Sequence, residues 1–202
     1  MALLVAGAAG INVNTLAIDD LLLGDVQTAT ATQFVLKDGD WLERFDGQFT
    51  YSGATLTGGS VTAWQETFKG NLVFEVSGFS VPTATFLTWV NTNDNEAVRS
   101  PILGGADSIV GAAAPDVVRG YAGADTINAG AGTNYVRGDE GDDLLTGGSG
   151  FDDINGNMGN DTVHGGAGDD YAVGGKDNDR LFGEAGGDVV WGNLGNDTQD
   201  GG

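Results

Sequence analysis

Apolar residues in the second half of the chain return at every ninth position. From Gly111 onward Val118, Ile127, Val136, Leu145, Ile154, Val163, Ala172, Leu181 and Val190 keep that step without an insertion or deletion, and a polar residue, Gln199, takes the tenth place in the series. A period of nine cannot hold one stripe on a helix of 3.6 residues per turn, and the glycines between the apolar positions would each cost a helix about 1 kcal/mol. The pattern instead predicts short strands in which one apolar side chain faces inward and its two neighbours face outward. Gln199 at an inward place predicts either that the core ends there or that a surface outside this chain covers it.

The first half has a different rhythm. Residues 14–24 carry a helix signal, with Asn14 or Thr15 as cap, Leu16, Ile18, Leu21 and Leu22 as the apolar face and Gly24 as stop, although a strand fits the same stretch. From Gln33 to Phe79 the pattern alternates. Phe49 and Tyr51 share a face, Val61 and Ala63 oppose Thr62, Trp64, Glu66 and Phe68, and Leu72, Phe74 and Val76 align again. Asp46-Gly47, Ser52-Gly53, Gly58-Gly59 and Lys69-Gly70-Asn71 read as turns that divide this region into four or five short antiparallel strands. Residues 82–91 read as a short helix with Phe86, Trp89 and Val90 available to pack on the sheet. Core packing is the expected use of Trp41, Trp64 and Trp89, and a glycan-binding surface is the other use they allow.

Written on the unit Gly147-Gly148-Ser149-Gly150-Phe151-Asp152-Asp153-Ile154-Asn155, the nine-residue phrase has Gly at places 1, 2 and 4, Asp at place 6 and an apolar residue at place 8. Place 6 holds Asp116, Asp125, Asn134, Asp143, Asp152, Asp161, Asp170, Asp179, Asp188 and Asp197, and a weaker unit before these supplies Asp107 between Gly105 and Ile109. A strand at places 7 to 9 and turns at the glycines make two units, eighteen residues, one full coil. Units k and k+2 then stack, and their acids form two columns. One runs Asp107, Asp125, Asp143, Asp161, Asp179, Asp197; the other runs Asp116, Asn134, Asp152, Asp170, Asp188. Carboxylates one strand spacing apart, about 4.8 Å, repel unless a cation lies between them. With no Cys and no His at these places, the oxygen-only donor set selects calcium over zinc or copper.

At this point the chain resembles the RTX, or repeats-in-toxin, proteins, whose Gly-Gly-x-Gly-x-Asp-x-U-x units (U apolar) form a parallel β-roll with calcium between successive turns. The resemblance covers residues 102–202. It implies Asp125, Asp143, Asp161 and Asp179, with Asp152, Asp170 and Asp188, as side-chain ligands, turn carbonyls as the remaining ligands, and export by a type I system. Ala114 and Pro115 in the first full unit, Asn134 with its neutral oxygen and Asp177 in place of a glycine depart from the phrase, weakening the sites that touch Asp116, Asn134 and Asp179. The phrase stops at Gly201-Gly202, places 1 and 2 of a further unit, so the sequence is expected to be cut from a longer chain. The expected fold class is all-β: a calcium-loaded parallel β-roll over residues 101–202, preceded by a small β-rich domain over residues 1–100 with one or two short helices that caps the roll or serves in assembly.

Composition sharpens this reading. The formal net charge is -21, and residues 101–202 hold 18 of the 29 acidic residues with 4 of the 8 basic ones. That balance argues against nucleic acid and anionic membranes, which reward Lys and Arg. Eleven units stacked k on k+2 allow at most nine Ca²⁺ ions, whose charge would bring -21 to about -3. Zero cysteines leave metal or assembly as the means of stabilising an extracellular chain. No run of eighteen apolar residues predicts a membrane span, and residues 1–10 lack the basic start of a cleaved signal.

A search for catalysis returns nothing. The single histidine, His164, falls on an outward place 9, and neither H-E-x-x-H nor G-x-S-x-G occurs. Gly174-Gly175-Lys176 lacks the rest of a P-loop. The pairs Asp142-Asp143, Asp152-Asp153 and Asp169-Asp170 each give one member to a column and leave the other on the surface, and the Asn160 and Asn196 sequons follow from the repeat. The expectation is a secreted, non-enzymatic bacterial protein with calcium as partner and Ca²⁺-dependent folding, self-associating as a surface layer, filament or adhesin, with no nucleic acid and no membrane insertion. The alternative expectation is an export and folding module from a larger secreted enzyme or toxin.

Overall fold

The computed structural model describes residues 3–6, 25–29, 33–38, 41–52, 55–68, 71–82 and 103–202. No helix occurs among them; residues 14–24 and 82–91, expected to be helical, lie outside the described residues apart from Pro82, which ends a strand. The first half contributes strands β1 (Leu3–Ala6), β2 (Asp25–Ala29), β3 (Gln33–Asp38), β4 (Trp41–Ser52), β5 (Thr55–Phe68) and β6 (Asn71–Pro82). The second contributes β7 (Ser108–Val110), β8 (Val117–Ala122), β9 (Thr126–Asn128), β10 (Asn134–Glu140), β11 (Leu144–Ser149), β12 (Asp152–Met158), β13 (Thr162–Ala167), β14 (Tyr171–Lys176), β15 (Arg180–Ala185), β16 (Val189–Leu194) and β17 (Thr198–Asp200).

The second half is a parallel β-roll whose coil is eighteen residues long. Odd-numbered strands β7 to β17 stack in one sheet and even-numbered strands β8 to β16 in the other. The register is set by the repeat: Leu145 lies beside Val163, Val163 beside Leu181, and Ile154 beside Ala172. The place-8 side chains from Val118 to Leu181 are completely or almost completely buried, and they form the thin core between the sheets. Val190 is half-buried and Gln199 exposed. Oriented with its nitrogen toward the Val190 carbonyl and its oxygen toward the Gly192 N–H, the Gln199 amide lies 3.1 Å from each, tying the last coil to its neighbour through backbone groups rather than apolar contact.

The strands are longer than the three residues expected. β11, β13 and β15 each run from place 7 through place 3 of the next unit, and exposure alternates so that places 8 and 1 both face inward. The place-1 glycines are therefore strand residues rather than turn residues. Places 2 and 4 do require left-handed backbone, and the protein meets that need even with side chains present: Asn157 and Asn193 stand at φ 77 and 71° at place 2, where Asn is among the most tolerant residues.

The first-half strands β2 to β6 form an antiparallel meander. Two of the four expected turns do not turn. Asp46-Gly47 lies inside β4, where the β4–β5 register shifts, and Gly58-Gly59 lies inside β5 beside a second shift. Glycine in a strand marks such bulges as readily as hairpins. Of the other two, Ser52 ends β4 and Asn71 begins β6, while Gly53, Lys69 and Gly70 lie outside the described residues. Phe45 and Trp64 are opposite each other on β4 and β5, buried and stacked with ring centroids 5.9 Å apart. Trp64 is thus a core residue. β1 joins the halves, pairing antiparallel with β6 and parallel with β7, so the meander and one face of the roll share a twelve-stranded sheet.

Because the core is one side chain deep, each inward residue carries much of its local stability. Ile154→Ala in calcium-loaded protein should cost about 2–5 kcal/mol, measured as a fall in urea midpoint followed by circular dichroism; a change within error would show that the place-8 stack is not the core.

Candidate metal centre

Two chains of hydrogen bonds run the length of the roll through the place-6 residues. In one column the backbone N–H of Asp107, Asp125, Asp143, Asp161 and Asp179 each donates to Oδ1 of the acid one coil further on, at 2.7, 2.9, 2.9, 2.9 and 3.0 Å. In the other, Asp116, Asn134, Asp152 and Asp170 donate to Oδ1 of Asn134, Asp152, Asp170 and Asp188 at 2.9 to 3.0 Å. All eleven predicted site residues thus lie in the two expected columns. Those from Asp107 to Asp179 are buried, whereas Asp188 and Asp197 are half-buried.

One oxygen of each carboxylate is satisfied in this way and the other is not. Oδ2 of Asp125, Asp143, Asp152, Asp161, Asp170, Asp179 and Asp188 is buried with no hydrogen-bond partner. An unsatisfied buried acceptor costs about 1–3 kcal/mol, so seven of them rival the whole net stability of a domain, roughly 5–15 kcal/mol. A peptide carbonyl, itself an acceptor, stands close to several of them. A Cβ placed on Gly147 would fall 2.5 Å from Asp152 Oδ2 and 2.6 Å from the Gly165 carbonyl oxygen; on Gly165 it would fall 2.8 Å from Asp170 Oδ2 and 2.7 Å from the Gly183 oxygen. The same relation holds at Gly120, Gly138 and Gly183. Each of these five place-1 glycines therefore leaves open a small cradle between a carboxylate oxygen of its own unit and a carbonyl oxygen two units on.

Such a cradle of converging oxygens without a donor fits a hard divalent cation. Among the described residues no three His, Cys, Asp or Glu side chains converge on a point, so side chains alone build no site, and the peptide carbonyls must complete it. Oxygen-only coordination of this kind is what calcium takes. The place-6 Oδ2 atoms and the place-1 carbonyls are the groups that would hold it, and the ion would supply the positive charge that their mutual repulsion lacks.

The carboxylates themselves register the missing charge. Burial, then the neighbouring acids, push Asp143 and Asp161 up to about 7 against the backbone hydrogen bonds that each accepts. Burial likewise raises Asp125 and Asp152 to about 6, and Asp170 and Asp179 move in the same direction. The roll is only two sheets thick, so these groups are shielded from water contact without being deep. Asp142, beside Asp143 in sequence, is held below the ordinary carboxylate range because Asn160 donates to it from backbone and side chain. The adjacent acids thus serve different ladders: Asn178 and Asn196 continue the surface one, which accounts for the sequon asparagines.

Sequence reasoning found the acids and missed the place-1 glycines, which it assigned to turns. A signal existed. Place 1 is glycine in nine of the ten full units from Gly111 onward, whereas place 2 accepts Tyr, Asp, Asn and Glu although its backbone is left-handed. A place that excludes side chains without needing positive φ is reserving space. His164 is half-exposed, 2.8 Å from Glu184 and stacked on Phe182, on the outer face as expected.

The family model of the RTX calcium-binding nonapeptide repeat, four copies long, matches residues 103–136, 137–172 and 164–199. No curated protein and no solved structure matches the chain.

Two outcomes follow from the cradle. Gly138→Ala, whose methyl would meet Asp143 Oδ2 and lie 2.8 Å from the Gly156 oxygen, should lower the calcium count by one in native mass spectrometry; an unchanged count would show that the cradle is not the site. In chelator, the folded roll holds protons up to about pH 6–7 that the unfolded chain releases near 3.8, so stability is greatest below pH 4 and is lost as pH rises through 6–7. Circular dichroism should show β-structure fading over that range in chelator and persisting at pH 8 in millimolar Ca²⁺. Equal metal-free stability at pH 5 and pH 8 would remove carboxylate burial as the cause.

Proposed function

We propose that this chain, an RTX calcium-binding repeat protein by its residues 103–199, is an exported, non-catalytic bacterial structural protein whose second half folds when it meets extracellular Ca²⁺ and then supports self-association at or beyond the cell surface. The observation that carries the calcium part is the set of seven buried carboxylate oxygens with no hydrogen-bond partner, five of them beside an inward carbonyl at a place-1 glycine. Extracellular calcium modules bind at about 10⁻⁴ to 10⁻³ M. At cytosolic calcium the acid columns would stay unpaired and the roll unfolded; outside, binding to the folded state alone stabilises it by mass action. A thread-like chain suits export and a rod suits a surface. The absence of cysteine, which leaves no disulfide to do this work, agrees with a fold held by metal.

The association part draws on the outer face of the even-numbered sheet. Tyr135, Val189, Trp191 and Leu194 are exposed there at 42, 41, 54 and 66 %, and Tyr171 meets Trp191 edge to face. Exposed apolar side chains gathered around Trp191 favour contact with another surface.

A calcium titration followed together by circular dichroism and sedimentation tests both parts. Expected are a cooperative gain of β-structure between about 0.1 and 1 mM Ca²⁺, reversed by chelator, and a rise in mass in the loaded form. Full β-structure in chelator at pH 8 would overturn the calcium reading, and a monomer at all calcium concentrations would overturn self-association.

A further inference from the structure

At one rung the chain replaces both components of the cradle together. Ala129 stands at place 1, where the other nine full units from Gly111 onward have glycine, and Asn134 stands at place 6, where those nine have aspartate. The two positions are spatially coupled, because place 1 and place 6 of one unit line the same cradle. Ala129 is fully buried and carries the methyl that the glycine units exclude. At Gly147 and Gly165 the equivalent Cβ would lie 2.5 to 2.8 Å from a carboxylate and a carbonyl oxygen.

Asn134 keeps one half of the aspartate pattern and inverts the other. Its Oδ1 accepts from the Asp116 N–H at 3.0 Å, and its own N–H donates to Asp152 Oδ1 at 2.9 Å, so the column is unbroken. Its second atom is a donor. Nδ2 reaches the Gly147 carbonyl at 3.4 Å, the place-1 oxygen thirteen residues on, which is the partner that a carboxylate Oδ2 confronts at Asp152 and Asp170. The preceding rung is also satisfied from within: Asp116 Oδ2 accepts from the Ala112 N–H at 2.8 Å. From Asp152 onward in the same column, Oδ2 of Asp152, Asp170 and Asp188 has no hydrogen-bond partner.

We infer that Ala129 and Asn134 form a built-in metal-free rung, in which an amide N–H and a methyl group take the place of a calcium ion. This rests on the calcium reading above. The rung closes at any calcium concentration, and it is the second in its column, one strand in from β8 at the edge of the even-numbered sheet. The second column is thereby divided into a start that is held by protein groups alone and a continuation that waits for the ion. Asn and Ala succeed here only as a pair. Aspartate over Ala129 would put a charge against a methyl with no room for a cation, and asparagine over glycine would leave a hole.

The test is an ion count by native mass spectrometry at saturating Ca²⁺, with circular dichroism as the check on folding. The double variant A129G/N134D should bind one more Ca²⁺ than the natural chain. N134D alone should bind no more and should melt below the double variant in calcium. The reverse graft, G165A/D170N, should bind one fewer ion, remain folded and lose less β-structure in chelator than the natural chain. It decides the matter if A129G/N134D does not fold. A natural chain that binds no calcium sinks the calcium reading. A natural chain that binds calcium while both double variants leave the count unchanged sinks this inference alone.

Discussion

The roll depends on a contact between like groups. A carboxylate oxygen and a peptide carbonyl oxygen face each other across a cradle at rung after rung, with neither able to donate. Hydrogen bonding cannot settle such a pair and burial aggravates it. Protonation or a cation can. The ordinary acidity of aspartate opposes the first near neutral pH, even with the shifts toward 6 and 7. A divalent ion is the remaining partner, which is why the fold and the metal are one problem here rather than two.

The rest of the architecture follows from repeating that contact every eighteen residues. Oδ1 of each acid is fixed by the backbone N–H one coil back, so the carboxylate cannot turn away from the cradle. The strands must begin immediately after the acid, and the N–H following it continues the ladder: Thr162 donates to the Asp143 carbonyl and Arg180 to the Asp161 carbonyl, both at 2.8 Å. The core can then be no thicker than one place-8 side chain per unit. A coil this thin buries too little apolar surface to hold by itself, and the ionic and apolar columns therefore stabilise each other.

The first half meets the roll through backbone pairing. β1 runs parallel to β7 and antiparallel to β6, so the exposed edge that the first repeat strand would present is filled by a strand about a hundred residues earlier in the chain. Unpaired sheet edges invite association, and filling one of them directs any contact toward other surfaces, among them the aromatic face around Trp191.

The sequence by itself determined the roll. A fixed nine-residue step fixes which residues stack, because an eighteen-residue coil leaves no freedom of register, and Asp125, Asp143 and Asp161 were legible as a column for that reason. It also marked Asn134 as a departure from the phrase, without showing which carbonyl its amide would meet. Local signals misled where one residue type serves two purposes: Asp46-Gly47 and Gly58-Gly59 read as turns and are bulges, since glycine permits both and only the neighbouring strand decides. The place-1 glycines read as turns for the same reason. What they do is leave room for an ion between atoms that are five and eighteen residues away in the chain. Only tertiary structure could decide that, because the space a missing Cβ opens has meaning only once the groups on its far side are in place.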